Sequence, residues 1–193
     1  STGVAGVSAG GYHSCALTTD GGVKCWGSNG AGGLGDGTYT RRTNPVDVPG
    51  LTSGVAYVSA GNLHTCALTT AGGVKCWGYN GYGQLGDGTK TNRTTAVDVA
   101  GLTSGVASVA AGSTHTCALT TAGGVKCWGY NGTGWLGDGT TDERLTAVDV
   151  QGLTSGVVRL AVGDTHSCVV TTAGAVKCWG ANNFSQLGDA TST

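Results

Sequence analysis

The chain has 193 residues, 39% of them hydrophobic, which suffices for a core, yet it carries 38 glycines, two prolines, no methionine and only 11% charged residues. Glycine at this level without a Gly-X-Y period excludes collagen, and its placement at fixed points argues for turns instead of disorder. A net charge of -1 leaves no basic field for a phosphate backbone and argues against nucleic acid as a partner; no apolar run reaches the length of a membrane span, and no signal peptide opens the sequence, whose start "STGVAG" reads as that of a mature or excised piece.

The dominant feature is a repeat of 51 residues without insertion or deletion. His13, His64, His115 and His166 recur at that spacing, as do Cys15, Cys66, Cys117 and Cys168, and Trp26, Trp77, Trp128 and Trp179. Residues 50–100 and 101–151 differ at only 11 positions. In chain order, each copy offers four short apolar runs, written in the second copy as "SGVAYVSAG", "HTCALTT", "GVKCWG" and "TAVDVAG". Glycine or asparagine clusters bound them, and none shows a 3.6-residue apolar period, so they read as strands of an all-β protein. Four strands per unit of this length predict a β-propeller blade that buries both faces against its neighbours. The predicted architecture is therefore a single repeat domain over 1–193, with blades at 1–49, 50–100, 101–151 and an incomplete 152–193.

Folding "HTCALTTAGGVKCWG" as a hairpin about Ala-Gly-Gly sets Leu68 opposite Val74, Cys66 opposite Cys76 and His64 opposite Gly78. Directly opposed strand residues lie within disulfide reach. The expected bridges are Cys15 to Cys25, Cys66 to Cys76, Cys117 to Cys127 and Cys168 to Cys178, each closing a loop of about ten residues and contributing just under ~3 kcal/mol in the chain-entropy model. Eight cysteines paired in this way imply an oxidising compartment, hence an extracellular or cell-surface location.

The succession "VAYVSAG", "HTCALT", "GGVKCWG" and "NGYGQLGDGT", repeated across essentially the whole chain, resembles the regulator of chromosome condensation repeat. The resemblance implies a β-propeller, usually of seven blades, in a family whose members include a nuclear exchange factor, a plant ultraviolet-B photoreceptor and a secreted bacterial inhibitor of β-lactamases. Fold does not choose among these tasks. The paired cysteines and near-zero charge suit the secreted bacterial kind best. The departure from the family is length: three full repeats and a fourth that stops at "LGDATST" cannot close a seven-bladed ring. A piece of a longer protein, an open arc and an oligomer whose chains complete one another's ring are the three explanations, and the exposed terminal edges favour the oligomer, in which two chains supply eight near-blades.

Candidate sites are few. His64 and Cys66 lie two apart on one strand face, but equivalent residues of radiating blades do not converge as a metal requires, so the histidines are expected to be hydrogen-bonded structural groups and no metal or cofactor is expected. The repeated tryptophans are expected to fill space between blades, and Asp36, Asp87 and Asp138 of "LGDGT" to cap turns. No asymmetric catalytic constellation stands out, so the chain is read as no enzyme. The copies differ in three windows, before the histidine, after the tryptophan and after "GDGT", and binding is expected there: Tyr12, Tyr39, Arg41, Arg42, Leu63, Tyr79, Tyr82, Arg93, Tyr130, Trp135, Arg144 and Phe184. Sequons at Asn92, Asn131 and Asn183 make a glycan formally available but arise easily in so Asn- and Thr-rich a chain. The expected function is a secreted or cell-surface, non-catalytic scaffold that binds a protein through its loops. The alternatives are a self-assembling surface protein and a carbohydrate-binding propeller, for which Tyr82 and Phe184 suit sugars but Ala31 and Thr133 at the matching positions do not.

Overall fold

The computed structural model of the protein describes residues 3–192. Those residues form four antiparallel sheets and no helix. The first comprises β1 (Val4–Ala9), β2 (His13–Thr18), β3 (Val23–Gly27) and β4 (Arg42–Asp47), and the second β5 (Val55–Ala60), β6 (His64–Thr69), β7 (Val74–Gly78) and β8 (Arg93–Asp98). The third comprises β9 (Val106–Ala111), β10 (His115–Thr120), β11 (Val125–Gly129) and β12 (Arg144–Asp149), and the fourth β13 (Val157–Val162), β14 (His166–Thr171) and β15 (Val176–Gly180). Within each sheet the strands lie side by side in chain order. This is the propeller-blade meander, and the fourth blade lacks an outer strand among the described residues.

The first strand of each blade is innermost. β1 packs on β5, β5 on β9 and β9 on β13, and the ends of these strands gather Gly10, Gly61, Gly112 and Gly163 around a central cavity of about 410 Å³. Backbone hydrogen bonds step around this axis, from Gly11 N–H to Gly61 O (3.1 Å), Asn62 N–H to Gly112 O (3.2 Å) and Ser113 N–H to Asp164 O (3.2 Å). No hydrogen bond joins the first blade to the fourth among the described residues, so the ring is open.

Strand register places the cysteines. Thr69 N–H donates to Gly73 O and Tyr79 N–H to Leu63 O, which makes the intervening Cys66–Cys76 pair a narrow, non-hydrogen-bonded one. Its Cα atoms are 4.1 Å apart, and the same separation holds for Cys15–Cys25, Cys117–Cys127 and Cys168–Cys178. All eight cysteines are paired.

The core lies between blades. Cys15, Val23, Cys25 and Leu34 of the first blade pack on Val58, Ala67 and Trp77 of the second, and the second and third blades repeat the contact through Cys66, Val74, Cys76 and Leu85 against Val109, Ala118 and Trp128. The disulfides of the first three blades are thus packed under the next blade's tryptophan side. Trp128 lies over Gly86, whose φ of +73° and a notional Cβ only 2.7 Å from Trp128 Nε1 both demand glycine. Trp128 is fully buried, so Trp128→Ala is expected to lower the unfolding free energy by about 3–5 kcal/mol, and Gly86→Ala by about 1–3 kcal/mol, in chemical denaturation. An unchanged midpoint for both would remove the inter-blade core from the account.

Candidate functional site

The loop after each tryptophan is pinned by one asparagine. Asn80 is fully buried; its Nδ2 donates to Asp87 Oδ1 (3.1 Å), Thr89 O (3.0 Å) and Thr91 O (3.1 Å), while its Oδ1 accepts from Leu85 N–H (2.9 Å). Asn29 and Asn131 repeat the pattern. Asp87 also accepts from the Thr89 amide and hydroxyl and from Arg93 Nε (2.8 Å). Burial pushes the Asp36, Asp87 and Asp138 carboxyls up, but hydrogen bonds from Thr38, Thr89 and Thr140 and from Arg42, Arg93 and Arg144 outweigh it and hold them below the ordinary carboxylate value. The aspartates cap turns as the sequence suggests, and the three arginines are engaged in fastening these loops.

A second set of bonds fixes one blade to the next. Gly33 O accepts both from Thr65 Oγ1 (2.8 Å) and from Trp77 Nε1 (2.9 Å), and Gln84 O accepts from Thr116 Oγ1 (2.8 Å) and Trp128 Nε1 (2.9 Å). Trp135 O accepts from Trp179 Nε1 (3.0 Å). The Thr65 hydroxyl, its proton given to Gly33 O, accepts from His13 Nε2–H (2.7 Å), and Thr116 likewise accepts from His64 Nε2–H (2.9 Å). On this relay His13 and His64 carry their proton on Nε2. Burial lowers His13 to about 4, His64 to about 3 and His115 to about 4, with neighbouring histidines adding to the effect at His64 and His115. His64 Nδ1 and His115 Nδ1 are buried with no hydrogen-bond partner, so protonating them would bury an uncompensated charge. No group of three metal-ligating side chains gathers among the described residues.

On this frame the first two variable windows meet on one face. Tyr12, Leu63 and Tyr79 line a cavity of about 340 Å³ together with His13, Ala31 and Asn92. Beside it, Tyr82, Tyr130 and Trp135 line another of about 300 Å³ with Ser113 and Thr114. The four aromatic rings form an edge-to-face chain across the second and third blades: Tyr79 to Tyr82 at 6.2 Å, Tyr82 to Tyr130 at 5.1 Å and Tyr130 to Trp135 at 4.8 Å, ending on His115, 5.4 Å from Trp135. The aromatic chain is thus built from different copies of the repeat. Tyr39 and Arg41 are exposed outside these two cavities, and Phe184 stands 91% exposed on the fourth blade. Among the sequons, Asn131 is buried and spends its amide on the loop, so it is not a glycan acceptor, and Asn92 Oδ1 accepts from Asn80 N–H (2.8 Å). Sequence reasoning missed the role of the asparagines at 29, 80, 131 and 182, although their presence in all four copies was a usable signal.

Sequence models of the regulator of chromosome condensation (RCC1) repeat match residues 4–32, 55–84, 106–134 and 157–186, and in a second form residues 20–68, 71–119 and 122–170. The human E3 ubiquitin-protein ligase HERC2 is 33% identical over 187 residues, covering 94% of this chain and 4% of its own length. The ultraviolet-B receptor UVR8 of Arabidopsis thaliana is 32% identical over 186 residues, covering 94% of this chain and 42% of its own length. Yeast RCC1 (Prp20), solved with Kap60 bound, has a TM-score of 0.84 at 23% identity over 97% of this chain and 46% of its own. The chain spans less than half the length of each of the three.

His13, His64 and His115 set a pH dependence. Their native values lie below the ordinary 6.5, so the unfolded chain binds protons that the native blade interfaces refuse. Stability is therefore full above about pH 6.5 and falls on acidification to about 4 for His13 and His115 and about 3 for His64, each of the three adding up to ~1.4 kcal/mol per pH unit. The lowered carboxyls add their own loss only below the ordinary carboxylate range. Thermal unfolding followed across this window is expected to show the decline, and a melting temperature flat down to pH 4 would contradict neutral, buried imidazoles.

Proposed function

The chain belongs to the regulator of chromosome condensation (RCC1) repeat family, and from that premise we propose that it is a secreted or cell-surface, non-catalytic scaffold that binds a protein partner through the aromatic face of its second and third blades. The observation that carries this reading is the chain of Tyr79, Tyr82, Tyr130 and Trp135, flanked by two open cavities. Large rings with few torsions, held on fastened loops, lose little freedom on binding and are the residue types that dominate interface energies. Yeast RCC1, of like fold, has been solved bound to Kap60, which supports a protein as the partner class. The pairing of all eight cysteines supports a place outside the cell, in keeping with secreted bacterial members of the family. A carbohydrate that repeats its contact once per blade is less favoured, because Ala31 and Thr133 stand where Tyr82 and Phe184 are.

Affinity capture from the native extracellular milieu, with wild-type chain beside Tyr82→Ala and Trp135→Ala, tests the reading. A partner held by the wild type is expected to lose roughly 30-fold or more in affinity with either variant, the loss of a hot-spot contact worth about 2 kcal/mol. Equal binding by both variants, with melting temperatures unchanged, would move the interface elsewhere.

A further inference from the structure

Three positions in the loop after each tryptophan furnish the place beside that blade's histidine, and the copies furnish it differently. In the third blade they are Tyr130, Thr133 and Trp135: the indole lies against His115 (5.4 Å between ring centroids) and Tyr130 (4.8 Å), and its Nε1–H donates to Thr133 Oγ1 (2.6 Å). In the second they are Tyr79, Tyr82 and Gln84, where the two phenol rings meet at 6.2 Å and the fully buried Gln84 accepts from Tyr82 N–H through Oε1 (3.0 Å). The corresponding residues of the first blade are Ser28, Ala31 and Gly33, all small, and all three line the cavity of about 340 Å³ together with His13. The second blade contributes Leu63 and Tyr79 to the lining, and it is held to the first by the bonds of Thr65 and Trp77 to Gly33 O. The cavity is therefore a side-chain seat that the first blade's own residues do not fill, within a junction that both blades complete.

We propose that this cavity receives one aromatic side chain of a protein partner, whose ring takes the place that Trp135 fills in the third blade. The inference rests on the reading that this face binds a protein, and it names the group that the partner presents. The occupant is specified by continuity with the chain's own packing, since the third blade shows which ring the seat holds: an indole set edge to face on the imidazole that corresponds to His13. His13 is held by its bond to Thr65, and a notional Cβ on Gly33 stands 3.7 Å from His13 Cε1, so the ring edge is within contact of the unfilled place. Leu63, Tyr79 and Ala31 supply apolar surface, against which a rigid ring with two torsions gains contact area at little cost in conformational freedom. A volume of about 340 Å³ lies at the lower end of ligand pockets, roughly 300–1,000 Å³, which suits one large side chain. Asn92, also in the lining, has its Oδ1 bonded to Asn80 N–H, and its Nδ2–H groups remain as donors for a main-chain carbonyl beside the incoming ring.

Titration of the isotope-labelled chain with N-acetyl-tryptophanamide, followed through the leucine methyl resonances, tests the proposal. Saturable binding in the millimolar range is expected, with ring-current shifts at Leu63 and none at the fully buried Leu85 and Leu136. Gly33→Gln, which brings in the residue of the second blade, is expected to abolish the Leu63 shift with the β-sheet circular dichroism spectrum unaltered. The bonds to Gly33 O are main-chain and survive, and a Cβ there stands 3.1 Å from Leu63 O, a contact that a slight shift relieves. Ala31→Tyr, which brings in the second blade's tyrosine, gives a second filling variant should Gly33→Gln fold poorly. Gly33→Gln is also expected to weaken a captured protein partner roughly tenfold or more. No saturable shift in the wild type, an unchanged Leu63 shift in both filled variants, or equal binding by N-acetyl-leucinamide or N-acetyl-argininamide would each overturn the aromatic seat. A partner weakened by Tyr82→Ala and Trp135→Ala but held equally by Gly33→Gln would also overturn it and leave the protein-binding reading standing. The probe titration needs no partner, so the two readings fail separately.

Discussion

One backbone carbonyl in each of the first three blades ties that blade to the tryptophan of the next. Gly33 O and Gln84 O each accept two hydrogen bonds from the following blade, one from a threonine hydroxyl and one from an indole N–H, so both lone pairs are used. The threonine in turn accepts from the preceding blade's histidine, which extends the contact into a relay of imidazole, hydroxyl and carbonyl. Because the acceptor is main chain, the side chain at that position is free to vary. It is Gly33, Gln84, Trp135 and Gln186 in the four copies, and Trp135 belongs to the aromatic face. Locking and display therefore share one residue without competing for its atoms.

The same relay explains why the blades are so alike elsewhere. A four-stranded blade of mostly valine, alanine and threonine has no interior, and its apolar residues are buried only by a neighbour. Any change on one face must be answered on the facing one, so the tryptophan, the glycine beneath it and the paired cysteines recur in register. The disulfide adds what small residues cannot: it ties the two central strands of a blade whose own packing is slight. Burial also keeps His64 and His115 neutral, since protonating their Nδ1 would place a charge where no acceptor stands.

Much of this was legible before any coordinates. The 51-residue period gave the blades, and an Ala-Gly-Gly turn flanked by cysteines ten residues apart gave both register and bridges, because opposed positions in a hairpin follow from counting. What was not legible depends on adjacency between copies. Tyr82 and Tyr130 are 48 residues apart and occupy different positions in their repeats, so nothing in the pattern announces that their rings touch. Arg42, Arg93 and Arg144 border a variable loop and read as surface cations, whereas each is bonded to an aspartate six residues earlier. Asn80 reads as half of an Asn-Gly turn; its role as the hub that fastens that loop is a matter of which carbonyls curl back toward it.

A repeat this regular presents a difficulty for specific recognition, because a partner that fits one blade should fit its copies equally well. The aromatic face resolves it by breaking the repeat. The position held by Tyr79 and Tyr130 is Ser28 in the first blade and Ala181 in the fourth, and the position of Trp135 is Gly33, Gln84 and Gln186 elsewhere. Four rings in contact therefore occur across the second and third blades, on loops whose asparagine and aspartate anchors are the same as those of the other blades. On the proposed reading, a surface that is unique in side chains and common in backbone could take a different partner by point substitution at no cost to the frame.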